Sequence, residues 1–189
     1  MNIYILLGHP DKRSFNGQLA DAYEAGARAE GHTIRRQNLG DLHFDPILWQ
    51  GYKHRQELEQ DLLQAQESIL WCNHWVIIYP IWWGSMPALL KGFFDRTLYS
   101  GFAYKYHEND PFWDKLLKGR SGHIITTCDA PRWWIWYMYR NSDLNSVRRA
   151  TLEFCGVNPV KVTRIDRLKY RDEAWRTQYL RKFSASITK

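Results

Sequence analysis

Trp75-Val76-Ile77-Ile78-Tyr79-Pro80-Ile81-Trp82-Trp83-Gly84-Ser85-Met86-Pro87-Ala88-Leu89-Leu90-Lys91-Gly92-Phe93-Phe94 is the stretch on which the fold turns. Residues 75–79 form a short apolar run stopped by Pro80, which predicts a fully buried strand. Pro87 opens a helix well, because the N–H it lacks is one that a helix start leaves unpaired anyway. Leu89, Leu90, Phe93 and Phe94 then share one face of that helix. A buried strand leading into an amphipathic helix is half of a βαβ unit.

The same alternation extends in both directions. Asn2–Leu7 reads as a buried strand ending at Gly8. Ser14 is an N-cap candidate for a helix over Phe15–Glu30, with Leu19, Ala22, Tyr23 and Ala27 as its apolar stripe and Gly31 as its stop. Gly26 inside that helix carries a cost of about 1 kcal/mol against alanine. Thr33–Leu39 is a second strand and 40–52 a loop. His54–Trp71 is an amphipathic helix, with Leu58, Leu62, Ala65 and Ile69 on one face. Downstream come a strand over Gly122–Thr127, a helix over Ser146–Cys155 ending at Gly156, a strand over Val160–Ile165 and a closing helix over Asp172–Ile187. Five near-continuous apolar strands alternating with helices predict a parallel sheet covered on both faces, and right-handed crossovers make it doubly wound. With no linker, repeat or low-complexity segment, residues 1–189 read as one α/β domain.

Composition narrows the class. Cys72, Cys128 and Cys155 are widely spaced and odd in number, which speaks against a disulfide framework or a zinc site and for a reducing cytoplasm. No apolar run is long enough to span a membrane, and the start lacks the pattern of a signal peptide. The net charge of +6 is spread over pairs such as Arg35-Arg36 and Arg148-Arg149. That suits a solvated surface, or one attracting phosphate-bearing small molecules, better than nucleic-acid binding.

Ligands of such a sheet bind beyond the carboxyl ends of the strands, near the point where strand order reverses. The first loop there, Gly8-His9-Pro10-Asp11-Lys12-Arg13-Ser14-Phe15-Asn16, has neither a dinucleotide fingerprint nor a P-loop. It does feed a helix N-terminus, which favours an anion, and Ser14 and Asn16 can add side-chain hydrogen bonds; Ser14 can equally be a plain cap. The second, Pro80 to Pro87, sets Trp82 and Trp83 beside Gly84-Ser85, an aromatic wall next to accessible backbone N–H groups that suits a flat heteroaromatic ligand. The third, Thr126-Thr127-Cys128-Asp129-Ala130-Pro131, flanks the same crevice; with no assignable basic partner, Cys128 reads as a small residue rather than a nucleophile. His9 is the best-placed histidine, and a structural role accounts for it.

Taken together, Gly8-His9-Pro10, Ser14-Phe15-Asn16-Gly17, the run Pro80 to Arg96, Gly101-Phe102-Ala103-Tyr104 and Phe154-Cys155-Gly156 resemble the NAD(P)H:quinone oxidoreductases, the DT-diaphorase-like flavoproteins. The resemblance implies a flavodoxin-like sheet of order 2-1-3-4-5 and a homodimer with flavin at its interface. It implies a phosphate site at His9, Ser14, Phe15 and Asn16, and a ring site at Pro80, Ile81, Trp82, Trp83 and Gly84. Thr127, Cys128 and Asp129 would lie at the other edge of the ring. FMN is expected in so short a chain, with FAD as the alternative and NAD(P)H as hydride donor. The sequence departs from the family where Cys128-Asp129 replaces paired glycines. It departs again where Arg132-Trp133-Trp134-Ile135-Trp136-Tyr137-Met138-Tyr139-Arg140 replaces the region that stabilises reduced flavin, leaving Tyr137 and Arg140 as the candidates for that role.

The function expected is therefore two-electron reduction of quinones or similar flat acceptors. A second class, a regulatory subunit of a potassium-efflux transporter, would use residues 133–139 as a peripheral docking surface rather than as a wall of the active site and dimer interface. A third class, a flavodoxin-type electron carrier, is typically acidic, whereas this chain is basic.

Overall fold

The computed structural model describes residues 1–187. In chain order it contains β1 (Asn2–Leu7), α1 (Phe15–Ala29), β2 (Thr33–Asn38), α2 (Gln60–Trp71), β3 (His74–Pro80), α3 (Ala88–Thr97), β4 (Tyr104–Tyr106), β5 (Trp113–Lys115), β6 (Ser121–Thr127), α4 (Arg132–Tyr139), α5 (Ser142–Leu144), β7 (Val160–Ile165) and α6 (Glu173–Ile187). Five strands pair in parallel in the order β2-β1-β3-β6-β7, the expected doubly wound arrangement. Strand order reverses between β1 and β3, so the ligand crevice belongs beyond Leu7 and Pro80.

Alternation along the central strands builds two cores. Ile3, Ile5, Leu7, Val76 and Ile78 face the layer containing α1 and α6, while Tyr4, Leu6, Trp75, Ile77 and Tyr79 face the layer containing α2 and α3. Each of these side chains is essentially removed from water, and burial of a large apolar side chain stabilises by about 1.5–3 kcal/mol. β2 is an edge strand and buries only Ile34.

α1 begins where expected: Ser14 is extended and its hydroxyl accepts the Gly17 N–H at 3.3 Å. The costly Gly26 has a tertiary reason, since a Cβ there would lie 2.5 Å from the Ser184 carbonyl of α6. α2 begins at Gln60, six residues later than the periodicity of His54–Trp71 suggests. Buried Arg96 is the cause. Its guanidinium takes the Glu57 carbonyl at 2.6 Å and the Glu59 carboxylate at 2.9 Å, which draws residues 57–59 out as an extended segment. Leu58 still packs against the core from there.

Three further features depart from the sequence reading. Residues 104–115 form a small antiparallel hairpin of β4 and β5. The helix expected over Ser146–Cys155 is wound as a wide π-type helix over Asn145–Glu153, with Thr151 Oγ1 donating to the Ser146 carbonyl. The aromatic run is helical, and α4 buries only Ile135. No helix among the described residues is long and apolar enough to cross a membrane.

Candidate functional site

Contacts between side chains from distant segments bring the three strand-end loops together. The His9 imidazole meets the Trp82 ring edge-on, with centroids 5.5 Å apart. Asn16, almost fully buried at the start of α1, donates to Thr127 Oγ1 at 3.0 Å. Main-chain bonds continue the sheet into the loops: Gly8 N–H donates to the Ile78 carbonyl at 2.7 Å, and Ile81 N–H to the Thr127 carbonyl at 2.8 Å.

The first loop is a tight cradle. Asp11 N–H donates to His9 Nδ1 at 2.9 Å. Nδ1 is therefore the acceptor, and the neutral ring carries its proton on Nε2. Partial burial holds the His9 pKa below the ordinary imidazole value, which favours that neutral form. Ser14 N–H donates to the Asp11 carbonyl at 3.2 Å, closing the turn. The N–H groups of Phe15 and Asn16, at the first positions of α1, have no partner among the described residues. These orphan donors at the positive end of a helix dipole suit an anion. Ser14 caps α1, the plainer of the two roles open to it. The Asn16 side-chain amide turns inward to Thr127, so the group it offers at the helix start is its unpartnered backbone N–H.

The second loop is a mirror-image hairpin turn. Trp82 and Ser85 exchange two N–H to carbonyl bonds of 2.9 Å, with Trp83 (φ 51°) and Gly84 (φ 70°) at the centre. Left-handed backbone is cheap for glycine and costs a tryptophan about 1–2 kcal/mol. The Trp83 ring gains no burial in return, being fully exposed at 103%, and Trp82 is 44% exposed. Neither ring fills the core. The Trp83 and Gly84 N–H groups have no partner among the described residues, so they form an outward pair of donors beside an open aromatic face.

The third loop is mostly structural. Thr127 pairs with Asn16, as above. Burial pushes the Cys128 thiol up to about 11 and its Sγ donates to the Ala130 carbonyl, so it is an inert small residue. The Asp129 carboxylate accepts the Lys169 N–H at 2.9 Å and is turned away from the other two loops. Of the charge-stabilising candidates, Tyr137 is 62% exposed, and Arg140 lies with its guanidinium 5.8 Å from the centre of the Trp136 ring. Sequence reasoning overlooked Ser142 and named Tyr139 only as part of the aromatic run. The Tyr139 ring rests on Gly84, and Ser142 Oγ donates to the Gly84 carbonyl at 3.0 Å. The polar run Asn141-Ser142-Asp143 after an aromatic helix was the signal for a capped reversal there.

A flavin fits this donor set. Orphan N–H groups at a helix start match a phosphate, the two outward N–H groups of the turn match the acceptor edge of an isoalloxazine, and exposed indoles offer a stacking wall. A groove of about 630 Å³ between Asp129, Pro131, Trp134, Arg167 and Tyr170 continues from the third loop.

Comparison with known proteins agrees with the architecture. The chain is 34% identical over 111 residues to a protein of Haemophilus influenzae named an uncharacterized NAD(P)H oxidoreductase, covering 56% of this chain and about half, 54%, of that relative. It is 26% identical over 184 residues to the ribosyldihydronicotinamide dehydrogenase [quinone] of Pongo abelii, covering 82% of this chain and 76% of the relative. A crystal structure of a Streptococcus mutans UA159 protein superposes with a TM-score of 0.83 at 28% identity, covering 100% and 99% of the two chains. The sequence profile of the flavodoxin-like fold matches residues 1–187, and the chain belongs to that family.

Proposed function

We propose that the chain is a flavin-dependent NAD(P)H:quinone oxidoreductase that works as a single-domain, cytoplasmic homodimer. The observation that carries this reading is the pair of outward N–H groups at Trp83 and Gly84, held in a strained, exposed turn at the strand-order reversal. Strain of that kind persists where a site uses it. The oxidoreductase relatives point the same way, and no observation favours the regulatory-subunit reading.

A bound flavin supplies the hydride chemistry. The chain's own part is binding, orientation and exclusion. The cradle of Ser14, Phe15 and Asn16 takes the phosphate of FMN, and the turn 82–85 takes the polar edge of the ring. His9 Nε2–H is a free donor at the junction of the two. The expected result is one FMN per chain; heat release and chromatography of the yellow chromophore distinguish FMN from FAD. Purified protein that neither is yellow nor takes up added flavin contradicts the proposal.

A flavin held against the loops 80–85 and 126–131 would have one side of its ring covered by protein, so donor and acceptor would share the other. Both are flat, and hydride transfer needs atoms roughly 3–3.5 Å apart. The oxidised nicotinamide must leave before a quinone enters. Ping-pong kinetics follow: parallel double-reciprocal lines, with flavin absorbance bleached by NAD(P)H alone in stopped flow. Intersecting lines would show two separate pockets.

Ser14→Ala removes the α1 cap and one donor to the phosphate, together worth about 1–3 kcal/mol. Flavin affinity should fall roughly ten-fold, read by fluorescence titration of apoprotein. Ser14→Thr, which keeps the hydroxyl, should retain most of it.

The dimer expectation rests on apolar surface left in water. Trp49, Tyr52, Tyr106 and Phe112 are all more than half exposed, as are Trp133, Trp136 and Tyr137 of α4. Aromatic enrichment of this kind marks interface cores. Sedimentation at micromolar concentration should report twice the 22.6 kDa chain mass; a fully active monomer contradicts it.

A further inference from the structure

After α4 the chain reverses through two consecutive left-handed residues, Arg140 (φ 51°) and Asn141 (φ 55°), neither of them glycine. Arg164 of β7 holds this reversal. Its side chain is 5% exposed, its Nη1 donates to Asn141 Oδ1 at 2.9 Å, and its Nη2 is ion-paired with the fully buried Asp143. The Tyr79 hydroxyl, from the end of β3, donates to the Asp143 carbonyl at 3.1 Å. The reversal is thus tied to two strands of the sheet.

Its other side grips the turn. Ser142 Oγ donates to the Gly84 carbonyl at 3.0 Å. The Tyr139 ring sits so close over Gly84 that a Cβ there would lie 3.3 Å from it. A turn with a left-handed tryptophan and a glycine at its centre has several ways to rotate its peptide planes; these two contacts select one.

We propose that the reversal Tyr139–Asp143, bolted by Arg164, is a positioning clamp for the Trp83 and Gly84 N–H groups, and that Ser142 is its contact residue. The inference rests on the flavin-site reading for its chemical consequence. The phosphate cradle supplies affinity from the other end of the ligand, so the clamp governs how the ring is presented for hydride transfer rather than whether flavin binds.

The test uses Ser142→Ala, with Asn141→Ala as a second lesion on the bolted side and Ser142→Thr as the conservative rescue. In flavin-loaded protein, Ser142→Ala should shift the visible absorption and circular dichroism of the bound flavin. It should also slow the limiting rate of flavin reduction by NAD(P)H on the order of ten-fold, at unchanged half-saturation. Flavin affinity should stay within about three-fold of the parent, and Ser142→Thr should restore spectrum and rate. Hydrogen exchange in apoprotein provides a readout free of flavin: the Trp82 and Ser85 amides should exchange about three- to ten-fold faster in Ser142→Ala, without global destabilisation. Parent-like exchange at these amides overturns the clamp whether or not flavin binds. Parent-like spectrum and rate in both variants overturn its role in presentation. Failure of the unmodified protein to bind flavin overturns the functional reading instead, and leaves the exchange experiment to judge the clamp.

Discussion

Replacing Gly17 by alanine should abolish tight flavin binding. Gly17 is the third residue of α1, and a Cβ there would lie 1.8 Å from the Lys12 carbonyl oxygen. The same loop is also met by Gly40, where a Cβ would lie 1.8 Å from the Pro10 carbonyl oxygen. Both obstacles are backbone, so no rotamer change relieves them. Alanine gains about 1 kcal/mol of helix propensity over glycine, but displacing a packed loop by more than an ångström costs more, about 3 kcal/mol or above. The Pro10–Lys12 segment must move, and it is the wall of the proposed phosphate cradle. Flavin affinity should drop by about two orders of magnitude, measured by titrating apoprotein. Gly26→Ala is the control: its Cβ also meets backbone, at 2.5 Å, but against α6 and away from the loops. It should lower thermal stability and leave flavin affinity unchanged. A Gly17→Ala protein with parent-like affinity would place the phosphate elsewhere.

Mild acid should destabilise the protein before its lowered carboxylates begin to titrate. His74 and His123 sit on the adjacent strands β3 and β6. Burial, reinforced by the charge of Lys161, lowers their pKa values to about 4 and about 3. Each is held by a hydroxyl, His74 Nδ1 by Ser121 Oγ at 2.7 Å and His123 Nε2 by Thr163 Oγ1 at 2.8 Å, and Tyr23 closes over His123. The unfolded chain protonates both near pH 6.5, whereas the folded chain keeps them neutral until far lower. Stability is therefore flat with respect to these groups above about pH 6.5 and falls as pH drops below it, because the unfolded state then binds more protons. At about 1.4 kcal/mol per pH unit, each site removes roughly 3 kcal/mol by pH 4.5. Denaturant midpoints at pH 7, 5.5 and 4.5 should show the decline, and His123→Gln should flatten it. Lowered carboxylates such as Asp41, hydrogen-bonded by Asn38 and Lys12, lose their contribution only at still lower pH. A midpoint constant from pH 7 to 4.5 would mean that both imidazoles are solvated in the fold.

The five strands, their parallel order, the cap at Ser14 and all three strand-end loops were legible in the amino-acid order. Each rests on local chemistry: apolar runs of strand length, a hydroxyl before a helical stripe, prolines and glycines at the breaks. The proposed ring site could be read for the same reason, since Ile81 to Gly84 immediately follow β3 and the fold places whatever stands there at the crevice. What was misread or missed depended on partners far along the chain. The start of α2 waits on Arg96, some forty residues away, and Gly26 makes sense only against Ser184 of α6. The side-chain amide of Asn16 pairs with Thr127, more than a hundred residues along the chain. The buried Asp143–Arg164 pair, which holds the reversal against the turn, leaves no pattern in either local sequence. Periodicity and breakers act over a few residues and determine which elements form and in what order. The direction in which a polar side chain turns is decided by the desolvation cost of leaving it unpaired, and only the assembled tertiary structure supplies the partner that avoids that cost.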